Sequence, residues 1–331
     1  MLFRATGIGL DIGSKKIKLA RVRKTKKGLE LMNYASLPTP SGVIEHGKII
    51  GPVELGKEIS QLVNKLAWKG QKVISALSSQ EIFQHNFIMP RMSRRESREA
   101  ALYRASSFLP FPLEEAAFDI FFLRNFENSE GRKREVFFAA AHRLQVEHLK
   151  TICALAGLRL AVVEIPALAL RRLWNDSNGI DLIAFLNIGF SDSCFSVFTQ
   201  QKLLYQRSFA SFYEELISIA GNDNNLEEVD MAKNLQVQEL MEQFGARVRY
   251  TMNLFQRQER EMIIGQIILC GGGARLKSMD EYLSVILDCQ VQLANLPSIL
   301  VLPPEIDQER HQEIICEFPL AIGLAGRGVL G

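Results

Sequence analysis

The 331-residue sequence has little cysteine and none of the paired cysteines that bind metals. Its five cysteines stand at positions 153, 194, 270, 289 and 316, mostly inside apolar runs and never in a C-x-x-C pair. That spacing argues against a disulfide framework or a zinc site and predicts buried, reduced thiols. The five histidines are scattered, and the nearest pair, His142 and His148, lacks the i, i+4 spacing that shares a helix face. We therefore expect no metal cluster.

Long apolar runs are missing as well. No stretch of about 18 uncharged apolar residues offers a membrane-spanning helix. The opening MLFRATGIGLDIG is too short and too soon broken by charge to be a signal peptide. The sequence thus predicts a cytoplasmic protein that reaches a membrane only through a partner.

The chain also lacks an excess of either charge, since 39 basic residues face 37 acidic ones. A formal net charge of +2 excludes a strong global attraction to nucleic acid or to an acidic membrane. Local basic clusters occur in RVRKTKKG (21–28), RMSRRESR (91–98) and GRKRE (131–135). Each is predicted to be solvated surface, with docking of a partner as the alternative.

Apolar residues make up 47% of the chain, enough for cores in about two domains. The segments ATGIGLDIG, KKIKLARVRK and LELMNYASL read as three strands joined by turns at Gly13-Ser14 and Lys27-Gly28. After Pro52, apolar residues recur at helical spacing until Gly70, and KVISALS follows as a buried strand. This order predicts an α/β layer that opens with an antiparallel meander.

The pattern then changes between residues 82 and 158, where strand, helix, two strands and a helix predict an inserted βαββα subdomain. From LIAFLNIG onward the three-strand opening recurs about 175 residues later, which indicates an internal duplication. A long amphipathic helix, the strand GQIILC with its GGG turn, and a closing helix FPLAIGLAGRG complete the chain. The predicted boundaries are 1–81 with 159–178 for the first lobe, 82–158 for the insertion, and 179–331 for the second lobe, whose reduced smaller part covers about 220–260.

This plan resembles the duplicated fold of actin and Hsp70-like nucleotide-binding proteins, which kinases, chaperones and filament proteins share. Finer segments resemble the PilM family of type IV pilus assembly proteins over nearly the whole chain. They are GIGLDIGSKKIKLARV, SFLPFPLEEAAFDIFFL, EVFFAAAHRLQVEHLKTICALAGLRLAVVE and RVRYTMNLFQRQ ahead of IILCGGGARLKSM, with LPFPLEEAAFD the most specific. The related FtsA usually ends in a membrane-binding amphipathic helix, whereas this sequence ends in GRGVLG, so we expect the PilM type.

The resemblance implies an actin-like scaffold of the inner-membrane platform of the type IV pilus, which serves twitching motility. Its implied partner is the N-terminal cytoplasmic tail of a PilN-like membrane protein, docked in a groove near residues 82–158. Three alternatives stay open: an ATP-hydrolysing member of the superfamily, a filament that self-associates as FtsA does, and a secretion-system counterpart.

The resemblance also implies a nucleotide site for ATP with Mg²⁺, in which Asp11 faces the metal. The residues that match the phosphate side are Asp11, Gly13, Ser14, Lys15 and Lys18, and those that match the adenosine side are Asp230, Lys233, Gly271, Gly272 and Gly273. Each pattern has a plain alternative, namely an Asp-initiated hairpin, an exposed i, i+3 ion pair, and a strand-to-helix turn that needs positive φ.

The second hairpin departs from the family pattern, because Asn187-Ile188-Gly189-Phe190 stands where Asp-Ile-Gly and a small residue are usual. Asn187 and Gly189 hold the site positions, but an amide carries no negative charge to a metal and Phe190 adds bulk. Asp192 is expected to be an exposed turn residue, with a substitute carboxylate as the alternative.

Further along, Phe212 and Tyr213 stand at the positions of a usual glycine pair, where two aromatic rings would fill nucleotide space. No G-x-S-x-G or histidine–cysteine arrangement supplies other chemistry. The sequence therefore predicts weak or absent hydrolysis and a cleft that has lost much of its nucleotide site.

Overall fold

The computed structural model describes residues 5–26, 28–174, 182–199, 202–220, 234–259, 262–294, 300–303 and 306–330. The strands are β1 Thr6–Ile12, β2 Lys16–Thr25, β3 Gly28–Pro38, β4 Ile44–Glu45, β5 Lys48–Ile49, β6 Lys72–Ala76, β7 Ile82–Pro90, β8 Ala116–Asn128, β9 Gly131–His142, β10 Arg159–Glu164, β11 Ile183–Ile188, β12 Asp192–Phe198, β13 Leu203–Ala210, β14 Gln266–Cys270, β15 Gln290–Leu293 and β16 Leu300–Val301. The α-helices are α1 Pro52–Lys65, α2 Arg94–Ser106, α3 Arg143–Leu155, α4 Pro166–Arg171, α5 Tyr213–Ala220, α6 Leu235–Gln258, α7 Met279–Leu287, α8 Gln308–Glu317 and α9 Pro319–Leu330.

Two sheets share one plan. The first has the order β10-β6-β1-β2-β3-β16 and the second β13-β12-β11-β14-β15. In each, a three-strand antiparallel meander is extended by two parallel strands beside its first strand. The duplication indicated by the sequence is therefore present at the level of strand order and direction.

The inserted sheet has three strands in the order β7-β9-β8, so that β7 and β8 are both edge strands. Helix α2 lies on one face, where its small buried residues Ala101 and Ala105 join a cluster with Phe87 and Phe138. Ser93 and Glu96 form a capping box that fixes the start of α2. The helix therefore begins within the basic cluster 91–98.

Helix α3 closes the inserted segment in sequence, yet its buried face packs in the core of the first lobe. Leu149, Ile152 and Cys153 share a cluster with Leu55 and Ile59 of α1. The sequence-based boundary at 158 counted this helix with the insertion, because periodicity shows an apolar face but not its partner.

The closing helix α9 forms as predicted, and it lies against the first sheet. A Cβ atom on Gly7 or Gly9 of β1 would stand 2.0 Å from the carbonyl oxygen of Ala325 or Ala321. Strand and helix backbones therefore touch where GIG passes under α9. Strand β16 joins this sheet too, beside β3, although residues 300–330 were counted with the second lobe from sequence.

A buried ion cluster ties α9 to the same lobe. The carboxylate of Glu164 accepts from Arg172 at 2.8 Å and from Arg327 at 2.8 Å, and its side chain is 1% exposed. Arg172 also donates to the carbonyl oxygen of Gly323 at 2.9 Å. Charge pairing and backbone contact thus act together at the helix.

Helices α7 and α8 and strand β15 were not separated out by the sequence patterns. Four cysteines, 153, 194, 270 and 316, are buried as predicted, and Cys289 is half-buried. Within the described ranges, no helix combines the length and apolar character needed to cross a membrane.

Candidate functional site

A cleft lies where the two hairpin turns meet the glycine turn after β14 and the junction of α8 and α9. Its walls include most residues of the predicted site, and the side chains of Phe190, Asp192, Tyr213 and Glu317. The free volume of the cleft is about 130 Å³, whereas ligand pockets usually measure about 300–1,000 Å³. In this conformation the walls are close together.

The first hairpin turn carries Asp11 and Lys18 directly opposite each other on β1 and β2. The ammonium of Lys18 donates to Asp11 Oδ2 at 3.1 Å, and both side chains are mostly buried, at 14% and 13% exposure. Asp11 therefore faces a cation of its own chain. Gly13 closes the turn by donating its N–H to the carbonyl of Lys16 at 3.1 Å.

The second hairpin repeats this geometry with different side chains. Gly189 donates to the carbonyl of Asp192 at 3.0 Å, and Asn187 stands opposite Cys194. Asn187 thus occupies the place of Asp11, and its Oδ1 accepts a weak bond from the Cys270 thiol at 3.7 Å.

Asp192 points into the cleft and is not an exposed turn residue. Burial, and then the neighbouring Asp11 carboxylate, raise the pKa of Asp192 to about 6, with a hydrogen bond from Ser78 acting in the opposite direction. Two carboxyl groups therefore face the cleft from opposite hairpins. The prediction of an exposed turn residue is therefore wrong. The available signal was the match between the two hairpins, because Asp192 corresponds to Lys16, the first residue of β2, and so begins β12.

Lys15 crosses from the first turn to aromatic rings of the second lobe. Its Nζ lies 5.1 Å from the ring centroid of Phe190 and 5.2 Å from that of Tyr213, and the two rings meet edge to face at 5.8 Å. Cation–π contact of this kind is attractive within about 6 Å. The cation and the two rings occupy the gap between the turns.

The glycine turn is filled by the protein itself. A Cβ on Gly272 would stand 2.5 Å from Cε1 of Tyr213, and one on Gly273 would stand 2.3 Å from the Ile188 side chain. Gly271 has φ of +90° and lies against the Ile188 carbonyl. The absence of side chains is thus required by internal packing and by positive φ, which is the plain alternative noted for this motif.

A buried carboxylate joins the lobes at the floor of the cleft. Glu317, 3% exposed, accepts from Lys16 of the first hairpin at 3.0 Å and from Arg275 of the glycine turn at 3.0 Å. Gly271 donates to the carbonyl of Cys316 at 2.7 Å. Sequence reasoning missed this bridge, since its members are far apart in the chain.

A second concavity, which we call the interlobe groove, separates edge strand β7 of the insertion from edge strand β13 of the second sheet. Its volume is about 650 Å³, and its walls are formed by Ser79, Gln80, Ile82, Phe83, Gln84, His85, Phe108, Gln206, Arg207 and Ser208. Asn86 of β7 bridges the two strands, because its side-chain nitrogen donates to the Leu203 carbonyl at 2.8 Å. The Oε1 atoms of Gln84 and Gln206 are buried, and neither has a hydrogen-bond partner among the residues that the structure describes.

The family model for the type IV pilus assembly protein PilM matches residues 9–329. The chain belongs to the PilM family. A chain of a solved PilM-PilN type IV pilus biogenesis complex is 24% identical, with 98% of each chain covered and a TM-score of 0.77. The ethanolamine utilization protein EutJ from Carboxydothermus hydrogenoformans is 15% identical, covering 97% of this chain and 89% of its own, with a TM-score of 0.54. The predicted family and the actin-like fold are confirmed.

For this PilM-family chain, the structure brings most of the predicted site residues to one cleft. They are Asp11, Gly13, Ser14, Lys15, Lys18, Asn187, Gly189, Gly271 and Gly272. Gly273 lies behind the glycine turn and is buried, whereas Asp230 and Lys233 lie outside the described residues.

The features of the cleft fit a magnesium nucleotide poorly. The carboxylate that would face the metal is paired with Lys18, the adenosine turn is packed by Tyr213, and Lys15 lies on aromatic rings. Within the part of the chain described here, His, Cys, Asp and Glu side chains form no group of three suited to a metal ion. Asp11 and Asp192 are the two aspartates that line the cleft among the described residues.

Proposed function

We propose that this protein is a cytoplasmic scaffold of the type IV pilus inner-membrane platform, peripheral to the membrane through a partner. The partner is the N-terminal tail of a PilN-like membrane protein. The observation that carries the proposal is membership of the PilM family, together with likeness in fold to a chain of a PilM-PilN complex. The cavities of the structure support one docking site for the tail.

We place the tail in the interlobe groove, five of whose ten lining residues fall within 82–158. Its volume of about 650 Å³ is in the range of pockets that bury a ligand, about 300–1,000 Å³. Phe83 and Phe108 offer apolar walls, and the edges of β7 and β13 border the groove. An extended peptide can bond to such edges.

The orphaned amide oxygens support a peptide occupant in particular. A buried acceptor without a partner costs about 1–3 kcal/mol, and a ligand N–H that reaches it removes the cost. The Oε1 atoms of Gln84 and Gln206 stand on opposite walls, one on β7 and one on β13. Main-chain N–H groups of an extended tail supply donors toward both sides.

The tail proposal is tested by titrating a labelled synthetic peptide of the PilN-like N-terminal tail into the full chain and following fluorescence anisotropy. Gln84→Leu and Gln206→Leu keep side-chain bulk and remove the amides, so each is expected to weaken binding about tenfold, or about 1.4 kcal/mol. Gln61→Leu on the exposed face of α1 is the matched control. Absence of saturable binding to the unmodified chain would contradict the proposal. If neither Gln84→Leu nor Gln206→Leu changed the affinity, the tail would dock outside the interlobe groove.

The nucleotide cleft is proposed to be degenerate, holding the lobes together through internal contacts. A thermal-shift scan with Mg-ATP tests this, because a ligand at about 100 times its Kd stabilises by about 2.7 kcal/mol. We expect no shift. The second candidate, weak ATP binding, is favoured by the approach of Asp11 and Asp192, and a saturable shift that Asp11→Asn abolishes would establish it.

A further inference from the structure

The outer edge of β8 is an open sheet edge with exposed apolar side chains. β8 has 13 residues and pairs with β9 on one side, while within the described ranges no strand pairs with its other side. Phe121 and Leu123 are 46% and 44% exposed. Long open edges carrying apolar residues are usually blunted by charge or covered, since they pair readily with another chain.

A groove of about 350 Å³ follows this edge, between helix α2 and the strand. Arg94 and Arg98 form its helix side, and Ile120, Phe121 and Phe122 form its strand side. The guanidinium of Arg98 lies 6.0 Å from the Phe118 ring centroid. The groove therefore has a cationic side on α2 and an apolar side on β8.

Within the described part of the chain, neither Arg94 nor Arg98 has a carboxylate within ion-pair distance, whereas their neighbour Arg95 is bonded to Glu99 at 3.0 Å. Five arginines and two glutamates stand between residues 91 and 104. On the strand side, Asp119 precedes Ile120 directly, and its carboxylate accepts a hydrogen bond from the N–H of Ile120 at 2.8 Å. The groove thus presents two guanidinium groups available for carboxylates.

We propose that an extended acidic segment of a partner protein adds to β8 as a further strand. Its main chain would pair with the open edge, its apolar side chains would cover Phe121 and Leu123, and its carboxylates would bond to Arg94 and Arg98. Strand addition supplies main-chain hydrogen bonds, and alternate side chains supply specificity. Guanidinium–carboxylate bonds add strength through their charge and bidentate geometry.

Repulsion between arginines favours an acidic partner strand over a second copy of the chain. Two copies paired edge to edge through β8 would bring Arg94 and Arg98 near the same arginines of the other copy, which costs energy. The β8 groove also stands at the opposite side of the inserted sheet from β7. A tail in the interlobe groove and an acidic strand at β8 can therefore bind together, and either proposal can fail alone.

The test uses a labelled Val-Glu-Val-Glu-Val-Glu-Val peptide with the full chain, followed by fluorescence anisotropy. We expect saturable binding that Arg94→Glu with Arg98→Glu weakens by at least tenfold. The control with the same charge change, Arg95→Glu with Arg132→Glu, is expected to change affinity less than threefold. A Val-Lys peptide and a peptide with proline at alternate positions are expected not to bind, and hydrogen exchange of the amides of 117–123 is expected to slow on binding.

Three outcomes overturn the proposal. The first is absence of saturable peptide binding up to about 1 mM, which corresponds to about 4.1 kcal/mol. The second is an equal loss of peptide affinity in the two double variants. The third is self-association of the chain in sedimentation that Phe121→Ser removes. The first leaves β8 without this ligand, the second indicates non-specific attraction, and the third makes the edge an interface between copies. Thermal melting of each variant confirms that it is folded.

Discussion

The ammonium nitrogen of Lys15 lies 5.2 Å from the ring centroid of Tyr213, so the first hairpin of one lobe rests on the second lobe. Phe190 lies on the same cation at 5.1 Å. Phe190 and Tyr213, the two aromatic residues that differ from the family pattern, are the residues that contact Lys15. These differences therefore have a structural role.

Replacing Lys15 by methionine tests this role. The variant keeps the length of the side chain and loses the charge, so we expect the free energy of unfolding to fall by about 0.5–2 kcal/mol, the usual strength of a cation–π contact. Urea denaturation measures the change. Lys24→Met, at an exposed position of β2, is the control and is expected to change stability by less than about 0.5 kcal/mol. A Lys15 variant more stable than the unmodified chain would contradict the assignment.

Gly272→Ala is expected to destabilise the fold, because the new Cβ would stand 2.5 Å from Cε1 of Tyr213. Overpacking of this kind costs about 1–3 kcal/mol. The same substitution in a Tyr213→Ala background is expected to cost much less, so a double-mutant cycle by urea denaturation measures the coupling. If the cost of Gly272→Ala were unchanged in that background, Tyr213 would not be the reason for the glycine.

Asp192 is expected to make stability depend on pH. Burial and the Asp11 carboxylate raise its pKa from 3.8 to about 6 in the folded chain. The folded state therefore binds the proton more tightly than the unfolded state, and stability falls as pH rises from about 4 to about 6. Above that pH window the ionised Asp192 lowers the free energy of unfolding by at most about 3 kcal/mol, since one pKa unit corresponds to about 1.36 kcal/mol.

Asp192→Asn cannot ionise, so the variant is expected to be more stable than the unmodified chain at pH 8, with a difference that vanishes near pH 4. Urea denaturation at half-unit pH steps measures the difference. Asp288→Asn, at an exposed position, is the control. A difference that stayed constant across the window would show that Asp192 ionises in the folded chain as it does in the unfolded one.

Local patterns predicted the elements that repeat with short periods. Alternation along β1 and β11 and a glycine after each strand placed both hairpins, and Gly13 and Gly189 make the same turn bond to residues three positions on. Local patterns did not indicate against which other element each helix or strand packs. Lys15 finds Tyr213 nearly 200 residues away, and α9 finds β1 across nearly the whole chain, because such contacts are fixed by tertiary packing. Gly7 and Gly9 were the available signal, since strand glycines mark a close backbone approach.

The ion cluster under α9 gives the largest expected loss. Glu164 is 1% exposed and accepts from both Arg172 and Arg327, so Glu164→Gln leaves two guanidinium groups with only a neutral amide. Breaking a buried pair by removing one partner costs about 3–5 kcal/mol, and because Arg327 is 37% exposed we expect about 3 kcal/mol.

Glu99→Gln, which breaks the exposed pair with Arg95, is the matched control and is expected to cost less than about 1 kcal/mol. Urea denaturation followed by hydrogen exchange of α9 separates global loss from fraying of the helix. Since Glu164 connects β10 and α4 to α9, we expect the amides of α9 to exchange first, and equal small costs for both variants would mean that backbone contact at Gly7 and Gly9 alone holds the helix.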